Sequence, residues 1–418
     1  MGFTKSRPSD WVERIADAKA SIPLFDCADD GTRIVLPSAW EKEWQGLPEF
    51  SIESLAPSQS IIVHFLNEND REAFAEFLQQ KITAKTKSIW YPKEERQVFI
   101  NTRYRTEKPV DPHYPVYIVS KGRWKSRHTS KSLEFMGVPY YIVVEQSQYD
   151  NYAAVIDSAK ILVLPQKYLE DYDTYDDLGF TKSKGPGAAR NFCWDHSISL
   201  GMKRHWVMDD NIQGFYRFNR NKKLKADTGA IFRAAEDFVD RYTNVAISGL
   251  QYNMFTPRKV DYFGPYTLNT RIYSCLLIDN EIPFRWQGRY NEDTDLSLRV
   301  LKAGLCTVEF YAFLQNKLPT QTVAGGCHED FYKKEGTINK SKMLVEKHPD
   351  VARLVWKYDR WHHEVNYHPF WKNKLIRKPD ILIPDSINEY GMILSKVDPE
   401  EASPFVAQKP TKTKKPKS

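Results

Sequence analysis

Short apolar runs that alternate with helical patterns constrain the fold of this chain most strongly. The segments Ser130–Met136 and Gln148–Ile156, which separate the first runs, are predicted to be helices. Alternation of strands and helices predicts βαβ units and a parallel sheet. The apolar runs are Val116–Val119, Tyr140–Val144, Ile161–Leu164, His205–Met208, Val245–Ser248 and Ser274–Ile278.

Polar residues follow three of these runs at the predicted strand ends. They are Ser120-Lys121-Gly122-Arg123, Glu145, and Asp209-Asp210-Asn211. Ligands collect outside the carboxyl ends of strands in open α/β sheets, so these positions suit binding. The oxygens of Asp209, Asp210 and Asn211 suit Mg²⁺ or Mn²⁺ bridging to phosphate. The alternative is an Asp-Asn turn that only ends a strand.

A glycine-rich turn opens the next predicted helix, at residues 185–191 with the sequence GPGAARN. A helix N-terminus presents free N–H groups and a positive dipole end to an anion. Arg190 lies in the first turns, where its guanidinium could fork onto a phosphate. By itself the glycine pair could equally be a tight turn, and the GK[ST] ending of a Walker A loop is missing.

A second acidic motif contains Glu292, Asp293 and Asp295 at the start of a helix that we expect to end at Gly304. Carboxylates in a first turn are stabilised by the helix dipole, so capping alone could explain one or two of them. Glu292 and Asp293 could instead face a cleft and act as a general base. Further on, His328 could bind a metal or phosphate, or be an idle surface residue.

The chain is predicted to contain three parts. Residues 1–110 are expected to form a small α+β accessory domain, with a helix at residues 11–16, a strand at 61–65 and an amphipathic helix after Asp70. Residues 111–394 form the α/β domain, including a mobile basic loop at 222–227 and a helix over Trp356–Trp371. Residues 395–418 are expected to be a disordered Lys/Pro-rich tail.

Composition excludes several classes of protein. No apolar run approaches the roughly 20 residues of a membrane helix, and we find no signal-peptide pattern, so we expect a soluble, cytoplasmic protein without membrane contacts. The five cysteines are scattered without CxxC spacing, which argues against disulfides and structural zinc. The net charge of +6 fits a polyanionic partner or merely a solubilising surface.

The order of these motifs resembles the nucleotide-sugar glycosyltransferases of the GT-A fold. Residues 117–123, 185–191 and 206–211 look most like the TET-associated glycosyltransferases, phage enzymes that decorate hydroxymethylated pyrimidines in DNA. The resemblance covers roughly residues 113–335 and implies a Rossmann-like, mostly parallel sheet. It further implies a UDP-sugar donor, Mn²⁺ or Mg²⁺, and host-cell cytoplasm if the chain is phage-encoded.

The resemblance also implies roles for individual residues. Asp209, Asp210 and Asn211 match the metal-binding DxD motif, with Asn in place of the last Asp, and His328 matches a late metal or diphosphate ligand. Asp293 matches the base of inverting members, beside Glu292. The nucleotide-sugar site would contain Ser120, Lys121, Gly122, Arg123, Glu145, Gly187, Arg190, Asn191 and Asp209.

The acceptor is expected to be 5-hydroxymethylcytosine or a related base in duplex DNA, which must be flipped out of the stack. Candidates for stacking and phosphate contacts are Trp286, Arg285, Arg289, Lys222, Lys223 and Lys225. They could also be ordinary core and surface residues. The alternatives are a protein or glycan acceptor, a metal-dependent nuclease, and a non-catalytic DNA-binding module. The sugar, the stereochemical outcome and the oligomeric state are left open.

Overall fold

A computed structural model describes residues 40–53, 58–92, 101–175, 185–256, 264–318, 338–357 and 360–398. The helices in these ranges are α1 (Glu68–Phe77), α2 (His128–Met136), α3 (Tyr149–Ala153), α4 (Gln166–Glu170), α5 (Gly187–Ser199), α6 (Ala230–Val239), α7 (Glu292–Lys302) and α8 (Ile338–Lys347). Short 3₁₀ turns cover Gln146–Gln148, Ser158–Lys160 and His368–Phe370.

The strands begin with β1 (Thr102–Arg105), β2 (Val116–Val119), β3 (Tyr141–Val144), β4 (Ile161–Val163), β5 (Arg204–Asp209), β6 (Ile212–Asn219) and β7 (Lys222–Ala226). They continue with β8 (Val245–Tyr252), β9 (Tyr266–Leu268), β10 (Cys275–Asp279), β11 (Cys306–Lys317), β12 (Ala352–Lys357), β13 (Arg360–Val365) and β14 (Ile393–Lys396). Twelve of them form one sheet in the order β14-β1-β7-β6-β11-β8-β10-β5-β2-β3-β4, with β9 beside β11.

The predicted parallel sheet is confirmed for β4, β3, β2 and β5, which pair in parallel in that order. Helix α2 connects β2 to β3 as a βαβ crossover, which brings the carboxyl ends of these strands to one edge. The rest of the sheet is mixed. Strand β10 pairs antiparallel with both β5 and β8, and β11 pairs parallel with β8 but antiparallel with β6.

The prediction of a mobile basic loop at residues 222–227 is wrong, because Lys222–Ala226 is strand β7 in a hairpin with β6. Arg220 and Asn221 take positive φ values of 48° and 57°, which suits a two-residue hairpin turn. Leu224 and Ala226 are buried on one face of the strand, and Lys223 and Lys225 alternate with them on the other face.

The core lies on both faces of the sheet. Helix α6 packs its apolar side on one face, where Phe232 contacts the rings of Trp206 and Phe215 at 5.2 and 5.0 Å. Helix α5 covers the opposite face with Trp194 fully buried. Cys193, Cys275 and Cys306 are buried free thiols, as expected for scattered cysteines. No helix in the described ranges is long and apolar enough to cross a membrane.

The boundary predicted at residue 110 is wrong for two segments. Trp44, Leu47 and Phe50 join the main hydrophobic core, and β1 pairs with β7 in the main sheet. Residues 61–65 do not form the predicted strand; Ile61 and Ile62 are exposed and have no regular secondary structure. The helix after Asn67 is confirmed as α1, whereas the helix predicted at residues 11–16 lies outside the described residues.

The C-terminal helix predicted over Trp356–Trp371 is also wrong. Strands β12 and β13 form a separate two-stranded antiparallel sheet there, with Trp356 opposite Trp361. The β-branched and aromatic residues of the segment suit a strand. Strand β14 pairs with β1 and extends to Lys396, past the predicted start of the tail. Residues 399–418 lie outside the described residues.

Candidate active site

A cleft of about 930 Å³ opens at the carboxyl ends of β2, β3 and β5. The predicted polar residues at those strand ends line it, together with the start of α7 and the end of β11. This is the position that a βαβ sheet provides for a ligand, because the loops that follow parallel strands converge there. The cleft lining includes Ser120, Lys121, Arg123, Glu145, Arg190, Asp209, Asp210, Asn211, Arg289, Glu292, Asp293 and Lys317.

Asp209, the last residue of β5, lies between two cations. Arg190 Nη2 donates to Asp209 Oδ1 at 2.9 Å, and Lys317 Nζ donates to Asp209 Oδ2 at 2.7 Å. Lys317 also donates to Ser274 Oγ at 2.8 Å. Burial opposes ionisation of Asp209, but Lys317 and Arg190 outweigh it and hold the pKa of this carboxyl well below its usual range.

Asp210 points to the other side of the strand end, toward β2. It accepts a hydrogen bond from Ser120 Oγ at 2.7 Å and forms a short ion pair with Arg123. Tyr152 extends this network, since its hydroxyl lies 2.6 Å from Ser120 Oγ and accepts from the Arg123 backbone N–H at 3.1 Å. Burial raises the pKa of Asp210, although the Arg123 guanidinium opposes the shift.

The contacts of Asp209 and Asp210 determine which oxygens of this motif are available to bind the expected Mn²⁺ or Mg²⁺. Both oxygens of Asp209 and both of Asp210 accept hydrogen bonds from cations or a hydroxyl, which leaves the buried Asn211 Oδ1 as the oxygen of this motif without a partner. Within the described part of the chain, no group of three or more His, Cys, Asp or Glu residues is placed to hold a metal. His328 lies outside that part. Asp209, Asp210 and Asn211, the described members of the predicted set, do not by themselves form a site for a divalent cation as they are arranged.

Glu292 and Asp293, in the first turn of α7, share the guanidinium of Arg190. Arg190 Nη1 lies 3.1 Å from Glu292 Oε1 and 2.5 Å from Asp293 Oδ1. Burial raises the pKa of Asp293 to about 7; Arg190 opposes the shift, and Glu292 and Asp209 reinforce it. This is consistent with three carboxylates sharing one guanidinium. A carboxyl that titrates near neutral pH suits a general base.

The third carboxylate of this motif, Asp295, turns away from the shared guanidinium. Its side chain is 3% exposed and pairs with Arg299 at 2.7 Å and with His348 at 2.9 Å. These contacts join α7 to the segment after α8. Asp295 therefore holds the helix in place, while Glu292 and Asp293 face the cleft.

The glycine-rich turn supports packing as well as the cleft. A Cβ on Gly187 would lie 1.9 Å from the Tyr172 hydroxyl oxygen, so only glycine fits there. Asn191 exchanges hydrogen bonds of 3.0 Å with the backbone N–H and C=O of Trp286 and is not part of the cleft lining. On the β2–β3 side, Lys121 pairs with Glu145 at 3.1 Å, and the Gly122 N–H donates to Gln148.

Of the predicted acceptor residues, the structure excludes the stacking role of Trp286 and brings Arg289 alone to the cleft lining. Trp286 is fully buried and carries the Arg190 guanidinium over its ring at 4.5 Å, so no base can stack on it. Arg285 lies over the Trp194 ring, and Arg289 lines the cleft while remaining 7% exposed. Lys222, Lys223 and Lys225 belong to β7 and do not line the cleft; Lys223 donates to the Asn253 carbonyl, and Lys225 lies 3.7 Å from Asp227.

Sequence reasoning missed Tyr152, whose hydroxyl contacts Ser120. It also missed three residues of the cleft lining: Lys317 and, from the C-terminal hairpin, Arg360 and His363. Lys317 had one detectable signal, because it ends a long, mostly apolar strand as Asp209 does. Nothing local to residues 360–363 indicated a place beside the cleft, since these residues follow β11 by more than forty positions.

Cations and carboxylates at the carboxyl ends of parallel strands are typical of α/β enzymes that bind phosphorylated ligands. Residues 114–326, half of the chain, match the TET-Associated Glycosyltransferase family. The chain belongs to this family of glycosyltransferases. A comparison with curated proteins found no match.

Among solved structures, the chain is similar to mannose-1-phosphate geranyltransferase from Thermus thermophilus. The identity is 11%, over 66% of this chain and 70% of that one, with a TM-score of 0.24. It is also similar to mannose-6-phosphate isomerase from Helicobacter pylori, at 11% identity over 68% and 94% of the chains and a TM-score of 0.21. Both scores are too low to support a structural argument.

Proposed function

We propose that this protein transfers a sugar from a nucleoside-diphosphate sugar, with UDP as the favoured nucleotide, to the hydroxyl of a hydroxymethylated pyrimidine in DNA. One observation carries the proposal. Arg190 connects Asp209, at the end of β5, directly to Glu292 and Asp293 on α7. A single guanidinium thus joins the acidic group suited to the donor with the acidic pair suited to the acceptor.

The donor would lie along the ends of β2, β3 and β5. Ser120, Lys121 and Arg123 would contact the nucleotide, and Lys317 would face the diphosphate. An ammonium group has three N–H donors, of which Lys317 uses two for Asp209 and Ser274. The remaining donor can stabilise the negative charge that develops on the leaving diphosphate.

In the transfer step, the acceptor oxygen forms a bond to the anomeric carbon while the bond from that carbon to the diphosphate oxygen breaks. Asp293 accepts the proton of the acceptor hydroxyl, and the diphosphate leaves with the electron pair. This assignment gives inversion at the anomeric carbon. A product that retains the donor configuration would contradict the role of Asp293 as base.

The test is to incubate the protein, with and without Mn²⁺, with a panel of UDP-sugars and duplex DNA that contains either cytosine or 5-hydroxymethylcytosine. Mass spectrometry of the digested nucleosides should show a sugar increment on the hydroxymethylated nucleoside alone. Release of UDP without modified DNA would move the acceptor to a protein or glycan. Absence of donor turnover with every sugar would refute the proposal.

A further inference from the structure

The hairpin of β12 and β13 places two tryptophans side by side. Trp356 lies opposite Trp361, and Leu354 lies opposite His363. Side chains alternate between the two faces of a strand, and directly opposed residues share a face. These four residues therefore lie on one face of the hairpin.

The hairpin face that carries these four residues begins at the cleft and ends in solvent. His363 lines the cleft, whereas Trp356 and Trp361 are 58% and 39% exposed. Their rings lie 5.4 Å apart at 78°, an edge-to-face contact that fixes their orientation. We call Trp356 and Trp361 together the tryptophan platform. It extends the cleft wall with aromatic surface that an extended ligand could contact.

Charges around the tryptophan platform indicate which ligand fits. Arg360, at the start of β13, and Lys340, on α8, both line the cleft. Residues 338–365 contain six Lys and Arg against four Asp and Glu. Arg360 lies opposite Lys357 and therefore shares the other face of the hairpin with Glu364, which pairs with Arg353 and Lys357. Arg360 and Lys340 thus place cations at the cleft next to the hairpin face that carries the exposed tryptophans. Cations beside exposed aromatic rings are the pattern that binds single-stranded or unstacked nucleic acid.

We propose that the tryptophan platform binds the DNA acceptor, with a base stacked on Trp356 or Trp361 and a phosphate near Arg360. This inference rests on the proposed function and assigns its acceptor side. A carbohydrate ring also stacks on tryptophan, but a neutral glycan carries no negative charge to pair with Arg360 and Lys340 at the cleft. The tryptophan platform would thus perform the stacking that was expected of Trp286 from the sequence. Trp286 itself cannot stack on a base because it is buried.

The test compares Trp356→Ala and Trp361→Ala with Trp90→Ala, a control at a partly exposed tryptophan outside the hairpin. The KM for hydroxymethylated duplex DNA should rise about tenfold in each hairpin variant and remain unchanged in the control. The KM for the UDP-sugar should stay at the wild-type value in all three. Phe substitutions at positions 356 and 361 should restore most of the DNA affinity, because they keep a ring that can stack.

Unchanged DNA affinity in both Ala variants would overturn the inference, as would Phe variants that lose as much as the Ala variants. A loss of affinity for a neutral oligosaccharide acceptor but not for DNA would overturn it too. Failure of the proposed function gives a different result, because the wild-type protein itself would then leave the DNA unmodified, whether or not it turned over the donor. Failure of the inference would leave DNA modification by the wild-type protein intact.

Discussion

Replacing Lys317 by Met tests whether a resident ammonium group performs the charge stabilisation expected of a divalent cation. The side chain keeps its length and its apolar stem, and the charge is removed. Lys317 is 15% exposed and lies 2.7 Å from Asp209, so the variant also leaves Asp209 with Arg190 as its remaining cation. Burial opposes the charge of Lys317, but Asp209 raises its pKa, so the group is protonated throughout the working range of pH.

The size of the effect follows from Coulomb's law. At an effective dielectric constant of about 20, an ammonium about 4 Å from a phosphate charge contributes about 4 kcal/mol. Removing one positioned donor to a developing negative charge typically costs about 2.7–4 kcal/mol, or roughly 100- to 1000-fold in kcat. We expect a loss of kcat in that range for Lys317→Met, and we expect wild-type turnover to persist in EDTA.

The matched control is Lys225→Met. Lys225 has the same 15% exposure and also pairs with an aspartate, Asp227, but it belongs to β7 and does not line the cleft. Steady-state kinetics with UDP-sugar and hydroxymethylated DNA, with and without EDTA, gives both readouts. The reasoning is refuted when Lys317→Met turns over as fast as the control. It is equally refuted when EDTA abolishes wild-type activity and Mn²⁺ restores it.

Three further substitutions test the site and its support. Because Asp293 must be ionised to act as base, wild-type kcat/KM should rise with pH through about 7. Asp293→Asn should lose about 100- to 10000-fold in activity and should no longer show this rise with pH. An unchanged pH profile in the variant would exclude Asp293 as the base. Gly187→Ala places a methyl group against the Tyr172 ring and should cost about 1–3 kcal/mol in the free energy of unfolding, measured with urea; a wild-type midpoint would contradict the packing argument. Trp286→Ala should lower the free energy of unfolding by about 3–5 kcal/mol because the ring is buried. An unchanged free energy of unfolding together with weaker DNA binding would contradict this and would indicate that the ring contacts the acceptor.

Local patterns in the sequence were sufficient for the parallel half of the sheet and for the two acidic motifs. The runs that became β2, β3, β4 and β5 are apolar because both of their faces are covered, and that property is visible without any partner. Asp209 and Asp293 could be located because each lies at a recognisable boundary, one at a strand end and the other in a first helical turn. The family resemblance was carried by the same short motifs.

Tertiary structure decided what those residues contact. Lys317 reaches Asp209 across 108 positions of sequence, and Arg190 reaches Asp293 across 103, so no local pattern could reveal either pair. Trp286 and Trp356 are the same residue type, yet burial excludes one from stacking and exposure permits it for the other. The sequence by itself determined which segments are apolar and where charged groups follow them. Burial and pairing depend on distant segments that come together only in the folded chain, and these decided which charges neutralise one another and which rings remain exposed.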